Sequence, residues 1–262
     1  MSVLDGKAAI VTGAGQGIGR GIALAFAKEN AHVVIADINQ PKAAEVAKEI
    51  ADLGKSAIAI GCDVGDENQV KSLVQQTVDA FGTVDILVNN AQSWGPVGGK
   101  RFAAPQPTPL EDFPEDWWDN TFQTGLKATF YACKAVFPHM KDHGGKIINF
   151  GSAYGMVGNW GTADYNACKE GIRALSRTAA REWGQYKINV NVINPSSETA
   201  ALKAWEEAFP EESAAVRKQV PLGRWGHPEN DLGRVAVFLA GPDSDFITGK
   251  TFELDGGHLM KP

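Results

Sequence analysis

The sequence predicts an α/β fold, a single doubly wound parallel sheet of about seven strands with helices on both faces. Three observations carry that expectation. Short apolar, β-branched runs alternate with longer amphipathic segments along most of the chain, the pattern of βαβ units. The short runs are apolar on nearly both faces, as strands covered by helices on each side must be. A glycine-rich turn joins the first run to the first amphipathic segment, where a parallel sheet places its ligand.

Taken in order, strands are expected near 7–12, 32–36, 56–60, 84–89, 145–150, 188–193 and 251–254. Helices are expected at about 17–30, 41–53, 66–81, 115–141, 162–184, 200–218 and 228–240. The first strand, Lys7 to Thr12, runs into Thr12-Gly13-Ala14-Gly15-Gln16-Gly17-Ile18-Gly19. The second, His32 to Ala36, ends at Asp37, the third ends just before Asp63-Val64, and the fourth closes on Asn89-Asn90-Ala91. Ser93 to Pro114, with Pro105, Pro107 and Pro109 close together, lies between two regular patterns and reads as an ordered excursion. Ser152 follows the fifth strand, and the helix at 162–184 carries Tyr165 and Lys169. That helix also presents Ile172, Leu175, Ala179 and Trp183 at helical spacing, a stripe that suits either sheet-facing core or a subunit contact. With 262 residues and no linker, one domain spans residues 1–262, its least regular part at about 196–226.

Composition narrows the partners. A net charge of −6 and a pI near 5.4, with no run of Lys or Arg, argue against nucleic acid or an anionic membrane and point to a small molecule. No apolar run reaches the length of a membrane span and no signal region precedes the first strand, so a cytoplasmic location is expected. The three cysteines, Cys62, Cys133 and Cys168, stand far apart, and the five histidines show no paired ligand spacing. Neither pattern supports a metal site. Cys168, beside the Tyr165 to Lys169 pair, reads as a small packing residue.

The glycines suit a phosphate. Without Cβ atoms at Gly13, Gly17 and Gly19 the turn can be tight, and the positive end of the following helix favours a pyrophosphate. Asp37 is placed to bind both hydroxyls of an adenosine ribose and to repel a 2′-phosphate. Neither Gln16 nor Ile38 offers a compensating cation, although Arg20 is near, so NAD is expected in preference to NADP.

Tyr165 and Lys169 bear on proton transfer. A free phenol, with a pKa of about 10, accepts a proton near neutrality only if a positive charge favours its phenolate. Residues at i and i+4 share a helix face, which sets the Lys169 ammonium beneath the Tyr165 ring.

These pieces together resemble the short-chain dehydrogenase/reductase family of single-domain, Rossmann-like enzymes, over essentially the whole chain. Thr12 to Gly19 is similar to its cofactor loop, Asp63-Val64 to its adenine contact and Asn89-Asn90-Ala91 to its fourth-strand signature. Ser152, Tyr165 and Lys169 match its catalytic serine and Tyr-x-x-x-Lys, Asn194-Pro195 with Thr199 its nicotinamide-closing segment, and Asp255-Gly256-Gly257 its C-terminal end. The resemblance implies hydride exchange between NAD and a secondary alcohol or ketone. In it Tyr165 is the general acid/base, Lys169 lowers the Tyr165 pKa and holds the nicotinamide ribose, and Ser152 binds the substrate oxygen. It also implies a homotetramer and a substrate loop at about 196–226. A sensor or scaffold of the same fold that binds the dinucleotide without turnover is the alternative.

Three departures from that pattern stand out. Gly125 occupies the position of a usual asparagine, where a backbone carbonyl and a local helix distortion are expected to preserve the proton path to Lys169. Gln92 replaces the glycine after Asn-Asn-Ala, for either a substrate contact or a loop-stabilising role, and Ser196 replaces the glycine after Pro195, stiffening the hinge. Among seven tryptophans, Trp94, Trp160, Trp205 and Trp225 fall in cleft-lining segments of the family and suggest a bulky apolar substrate, with Tyr154 and Gln92 as further candidate contacts. The helix beginning at Ala200 suits either a mobile lid or a charged surface helix.

Overall fold

All seven strands run parallel, in the order β3-β2-β1-β4-β5-β6-β7, in a computed structural model that describes residues 2–93 and 107–260. The strands are β1 (Ala8–Thr12), β2 (His32–Asp37), β3 (Ala57–Gly61), β4 (Ile86–Asn89), β5 (Gly145–Phe150), β6 (Ile188–Pro195) and β7 (Thr251–Leu254). The strand order reverses between β1 and β4, so the crossovers on either side diverge and leave a crevice at the carboxyl ends. That crevice is where the glycine turn lies.

Helices cover both faces because the strands offer apolar side chains to each. On one face α1 (Gly17–Lys28) and α2 (Gln40–Asp52) pack with Ile22, Phe26, Val46 and Ile50 against β1 and β2. On the other, α3 (Glu67–Phe81) brings Val70, Leu73 and Val74 to Ile10, Val34 and Leu87. Central strands β1 and β4 are buried along their whole length, which is why their sequences lack alternation.

Two predicted helices are not regular. The segment expected as one helix over 115–141 is α4 (Glu115–Phe122), a π-helical stretch at Gln123–Lys127, and α5 (Ala128–Met140). The segment at 228–240 likewise opens with a π stretch at Pro228–Gly233 before α10 (Arg234–Ala240), which joins the α1 face. The predicted helix at 200–218 is two, α8 (Ala200–Ala208) and α9 (Pro210–Arg217). Pro210, at the first turn of α9, has no amide hydrogen to continue α8, so the chain turns at Phe209. A short helix, α6 (Ala153–Val157), lies between Ser152 and α7 (Ala163–Trp183), where the sequence suggested none.

On α7 the apolar stripe is core in part, with Leu175 half-buried. Ile172 and Ala179 are buried, and Trp183 packs against the cluster that holds Ala179 and stacks on Phe137 at 4.9 Å. A buried polar chain fixes the same helix to the sheet. Asn89 donates to Asn149 (2.9 Å), Asn149 to Ser176 (2.8 Å), and Ser176 to the Ile172 carbonyl (2.7 Å). Because β4, β5 and α7 are joined by satisfied buried groups, the ends that carry Asn90, Ser152 and Tyr165 hold a fixed relation.

Candidate active site

The carboxyl ends of the strands open onto a cleft of about 490 Å³. Gly13, Gln16, Gly17 and Ile18 form one wall, Asp37 and Ile38 its far end, and Asp63 and Val64 lie beside them. Asn90, Ala91 and Gln92 continue the wall to Tyr165 and Lys169, and Pro195 and Thr199 close the other side. Cys62, Ser93, Thr124, Phe150 and Gly151 also line it, none of them expected as site residues.

The glycine turn is shaped by backbone demands. Gly13 and Gly17 take φ of +63° and +56°, where a side chain is strained. Gly19 answers to space instead, since a Cβ there would lie 2.4 Å from the Gly13 carbonyl oxygen. The turn is tied to β4 by Thr12 and Asn90. Thr12 Oγ1 accepts the amides of Asn90 and Ala91 at 3.1 Å, and Asn90 Nδ2 donates to the carbonyls of Thr12 (2.9 Å) and Gly13 (3.1 Å). Asn90 thus shapes the wall as well as lining it.

These residues fit a dinucleotide. Asn39, Asp66 and Thr199 cap α2, α3 and α8 with their side chains, whereas Gln16 leaves α1 without such a cap at the cleft. Its first amides suit an anion, and the glycines let a phosphate approach them. Asp37 accepts the amides of Gly15 and Asn39, both at 2.9 Å, which orient the carboxylate. Asp63 similarly accepts the Gly65 amide at 2.9 Å. Arg20 is held by Glu49 in a two-pronged ion pair, so it does not offset the charge of Asp37. The nearby cation is Lys42, which sequence reasoning missed. Its Nζ donates to Gln16 Oε1 at 2.8 Å, and its Cβ and the Asp37 carboxylate both lie against Gly15.

At the other end Ser152, Tyr165 and Lys169 converge. Ser152 begins α6, where its Oγ accepts the Tyr154 amide at 3.2 Å and also hydrogen-bonds the Tyr165 phenol. Lys169 is 5 % exposed; its Nζ donates to the Phe150 carbonyl at 2.9 Å and lies 5.4 Å from the Tyr165 ring centroid. Burial dominates the electrostatics. It pushes the Tyr165 phenol up to about 12, against the lowering effect of Ser152, and pushes Lys169 down to about 8. The expected depression of the Tyr165 pKa by Lys169 is therefore not what the protein's own groups produce. The ammonium sits by the ring and the Phe150 carbonyl, while Cys168, Tyr154 and Asp164 each oppose a phenolate.

Asp164, fully buried next to Tyr165, was also missed. It accepts the Thr121 hydroxyl at 2.5 Å and so ties α4 to the first turn of α7. An acidic residue there looks like an ordinary helix start, and only the packing reveals the tie.

The π-helical stretch falls at Gly125, where a helix distortion was expected, and the Gly125 carbonyl accepts Thr129 Oγ1 at 2.9 Å. Ser196 at the lid hinge is pinned. Its amide donates to Leu254 (2.8 Å) and its carbonyl accepts from Gly226 (3.0 Å), which closes the neck of the 196–226 loop. Thr199 caps α8 through Leu202 (3.1 Å) while lining the cleft.

The aromatic pocket does not form as expected among the described residues. Tyr154 and Trp160 are 45 % and 68 % exposed and, with Trp205, lie outside the cleft lining. Trp160 follows α6 in a turn bounded by Gly158 and Gly161, both at positive φ, which carries it outward. Trp225 is buried, and its indole donates to Glu206 at 2.9 Å, joining the base of the loop to α8. Trp94 lies outside the described residues. Among the described residues no group of three or more His, Cys, Asp or Glu could hold a metal, and no helix is long and apolar enough to cross a membrane.

The family described as Enoyl-(Acyl carrier protein) reductase, adh_short_C2, matches residues 13–258. The chain is 40 % identical to the 12alpha-hydroxysteroid dehydrogenase of Clostridium sp., covering 100 % of both. It is 38 % identical to galactitol 2-dehydrogenase of Agrobacterium fabrum, covering 98 % of this chain and 99 % of that one. A solved 7 alpha-hydroxysteroid dehydrogenase, complexed with NADH and 7-oxo glycochenodeoxycholic acid, superposes with a TM-score of 0.88 at 32 % identity over 98 % of this chain and 96 % of that one. With the glycine turn, the parallel sheet and the Ser152, Tyr165 and Lys169 cluster in place, the chain belongs to the short-chain dehydrogenase/reductase family of oxidoreductases.

Proposed function

We propose that this protein is an NAD-dependent dehydrogenase that interconverts a secondary alcohol and a ketone on a bulky apolar substrate of the hydroxysteroid type. The observation that carries the reading is the convergence of Ser152, Tyr165 and Lys169 at the end of a dinucleotide-shaped cleft. Full-length identity to a 12alpha-hydroxysteroid dehydrogenase supports the substrate class.

Bound NAD supplies the hydride acceptor, and NADH the donor. Every other task falls to the chain. Tyr165 gives a proton to the carbonyl oxygen in reduction and takes one from the alcohol in oxidation, with its hydroxyl aimed by Ser152. Ser152 donates to the same substrate oxygen and stabilises charge developing there. Lys169, as a cation, holds a ribose hydroxyl, with the Phe150 carbonyl fixing its position. Asp37 takes the adenosine ribose, and its charge disfavours a 2′-phosphate. The α8–α9 hairpin at 196–226 covers the substrate, its two halves joined by the Glu206 contacts with Arg217 and Trp225. A cytoplasmic homotetramer is part of the same reading.

NADH formation, followed by its near-ultraviolet absorbance, tests it with a 12α-hydroxysteroid, a 7α-hydroxysteroid and galactitol in parallel. Turnover of a steroid and not of galactitol is expected. Polyol turnover alone overturns the substrate class. Tight NADH binding with no turnover of any alcohol points to the dinucleotide sensor.

A further inference from the structure

Where the helix between α4 and α5 opens into its π stretch, a side chain from α7 fills the gap. Cys168 Sγ donates to the Thr121 carbonyl at 3.5 Å and accepts the Leu126 amide, so one thiol serves a backbone group just before the distortion and one within it. Such an insertion is one of the few causes of a local break in a helix ladder. Gly125 makes the room. A Cβ at that position would lie 2.4 Å from Cys168 Sγ and 2.8 Å from Gln92 Nε2.

Gln92 reaches the same point from the loop after β4, its Nε2 donating to Cys168 Sγ at 3.6 Å. The next residue is fastened too. Thr124 Oγ1 accepts the Ser93 amide at 3.1 Å and donates to the Ser93 carbonyl at 3.0 Å. The β4 loop, the π stretch and α7 therefore meet at one spot on the cleft wall. Cys168 stands three residues after Tyr165 and one before Lys169, so whatever holds it sets the rotation and height of the catalytic turn of α7. Gln92 lines the cleft with Tyr165 and Lys169, yet its Oε1 is buried without a hydrogen-bond partner among the described residues. Burying an unpaired acceptor costs stability, so a residue kept only for folding would not be a glutamine here.

We propose that Gln92 is a positioning residue for Tyr165 and Lys169, acting through Cys168, and that glycine at 125 is what admits its carboxamide. It resolves the choice between a substrate contact and a loop brace in favour of neither. The brace holds the catalytic turn. The activity arm of the test rests on the proposed dehydrogenase function.

Gln92→Leu keeps the size and removes both the donor and the orphaned acceptor. The expected result is a loss of about 10- to 100-fold in kcat, the scale on which small misplacements act. NADH affinity by fluorescence titration should stay within about threefold, the melting temperature should be unchanged or higher, and the pH midpoint of kcat should move. Full kcat with an unmoved pH profile overturns the proposal, as does a fall in melting temperature that parallels the loss of kcat. Gly125→Ala should lose both stability and kcat. Removing the sulfur in Gly125→Ala/Cys168→Ala should restore the melting temperature but not kcat, and additive losses overturn the shared-space argument.

An arm without activity separates the two readings. Alkylation of the folded protein by N-ethylmaleimide, followed by peptide mass spectrometry, should be at least about fivefold faster at Cys168 in Gln92→Leu. Cys62 and Cys133, both buried, serve as internal controls. An unchanged Cys168 rate overturns the positioning role even if the substrate class is right, and a faster rate upholds it even if no steroid turns over.

Discussion

The Lys169 ammonium donates to the Phe150 carbonyl at 2.9 Å while it lies 5.4 Å from the Tyr165 ring centroid. One side chain thus ties α7 to the end of β5, just before Ser152, and keeps a positive charge in the site that burial works to remove. Catalytic placement and stability are opposed at this residue.

That opposition has a sign. In the folded protein Lys169 titrates at about 8, below its ordinary 10.5, so between those values the unfolded chain binds more protons and stability rises with pH. Below pH 8 the full cost is present, about 3 kcal/mol at ~1.4 kcal/mol per pH unit, against about 1 kcal/mol gained from the bond to Phe150. Lys169→Met should therefore melt a few degrees higher at pH 7, with the gain gone by about pH 10.5. Calorimetry across that range checks it, and a lower melting temperature at pH 7 contradicts it.

Activity should show the same ionisation. On the proposed mechanism ketone reduction needs Tyr165 protonated, which holds up to about 12, and Lys169 charged, which fails above about 8. The reduction rate is expected to fall along a single alkaline limb near pH 8, and Lys169→Arg should move that limb upward because guanidinium keeps its charge. A pH–rate profile of NADH oxidation reads both.

Tyr165→Phe removes the proposed proton donor, the hydroxyl that hydrogen-bonds Ser152. A loss of about 10²- to 10⁴-fold in kcat is expected, with NADH binding retained, because the hydroxyl acts on the substrate oxygen. Single-turnover kinetics alongside fluorescence titration separate the two quantities.

On the proposed reading, the cofactor preference rests on Asp37 and Lys42 together. NAD should be favoured over NADP by at least about tenfold in kcat/KM, and Asp37→Ser should bring the two close to equal because Lys42 then faces a 2′-phosphate unopposed. Lys42→Ala in that background should return the preference to NAD. The same Asp37 change frees the amides of Gly15 and Asn39, so a stability loss of about 1–2 kcal/mol should accompany it.

Asn149 carries the buried chain from Asn89 to Ser176. Asn149→Ala takes one hydrogen-bond partner each from Asn89 on β4 and Ser176 on α7, and a loss of about 1–3 kcal/mol is expected by chemical denaturation. A loss below about 1 kcal/mol shows that β4, β5 and α7 do not depend on it.

Much of the site was legible because backbone demands write themselves into residue type. Gly13 and Gly17 need positive φ, and Gly19 needs the absence of a Cβ, so a turn of that shape has almost no other spelling. Tyr165 and Lys169 were legible because a helix fixes i and i+4 on one face. The substrate side was not. Trp160 turns outward after α6, and Trp225 turns inward to Glu206, from sequences equally suited to either. Lys42 and Asp164 were passed over, and Cys168 was read as a small packing residue, because each looks local to its own helix, whereas its contacts run to Gln16, Thr121 and Gln92 on other elements.

The sequence by itself determined the parallel sheet and the glycine turn, because each depends on periodicity or on local stereochemistry. Tertiary structure decided the rest. Only packing could bring Gln92, Gly125 and Cys168 into one small volume, since the three sit on a loop, a π stretch and a helix far apart in the chain. Only burial could set the electrostatics, raising Tyr165 and lowering Lys169 by withdrawing both from water, an effect no spacing of residues encodes.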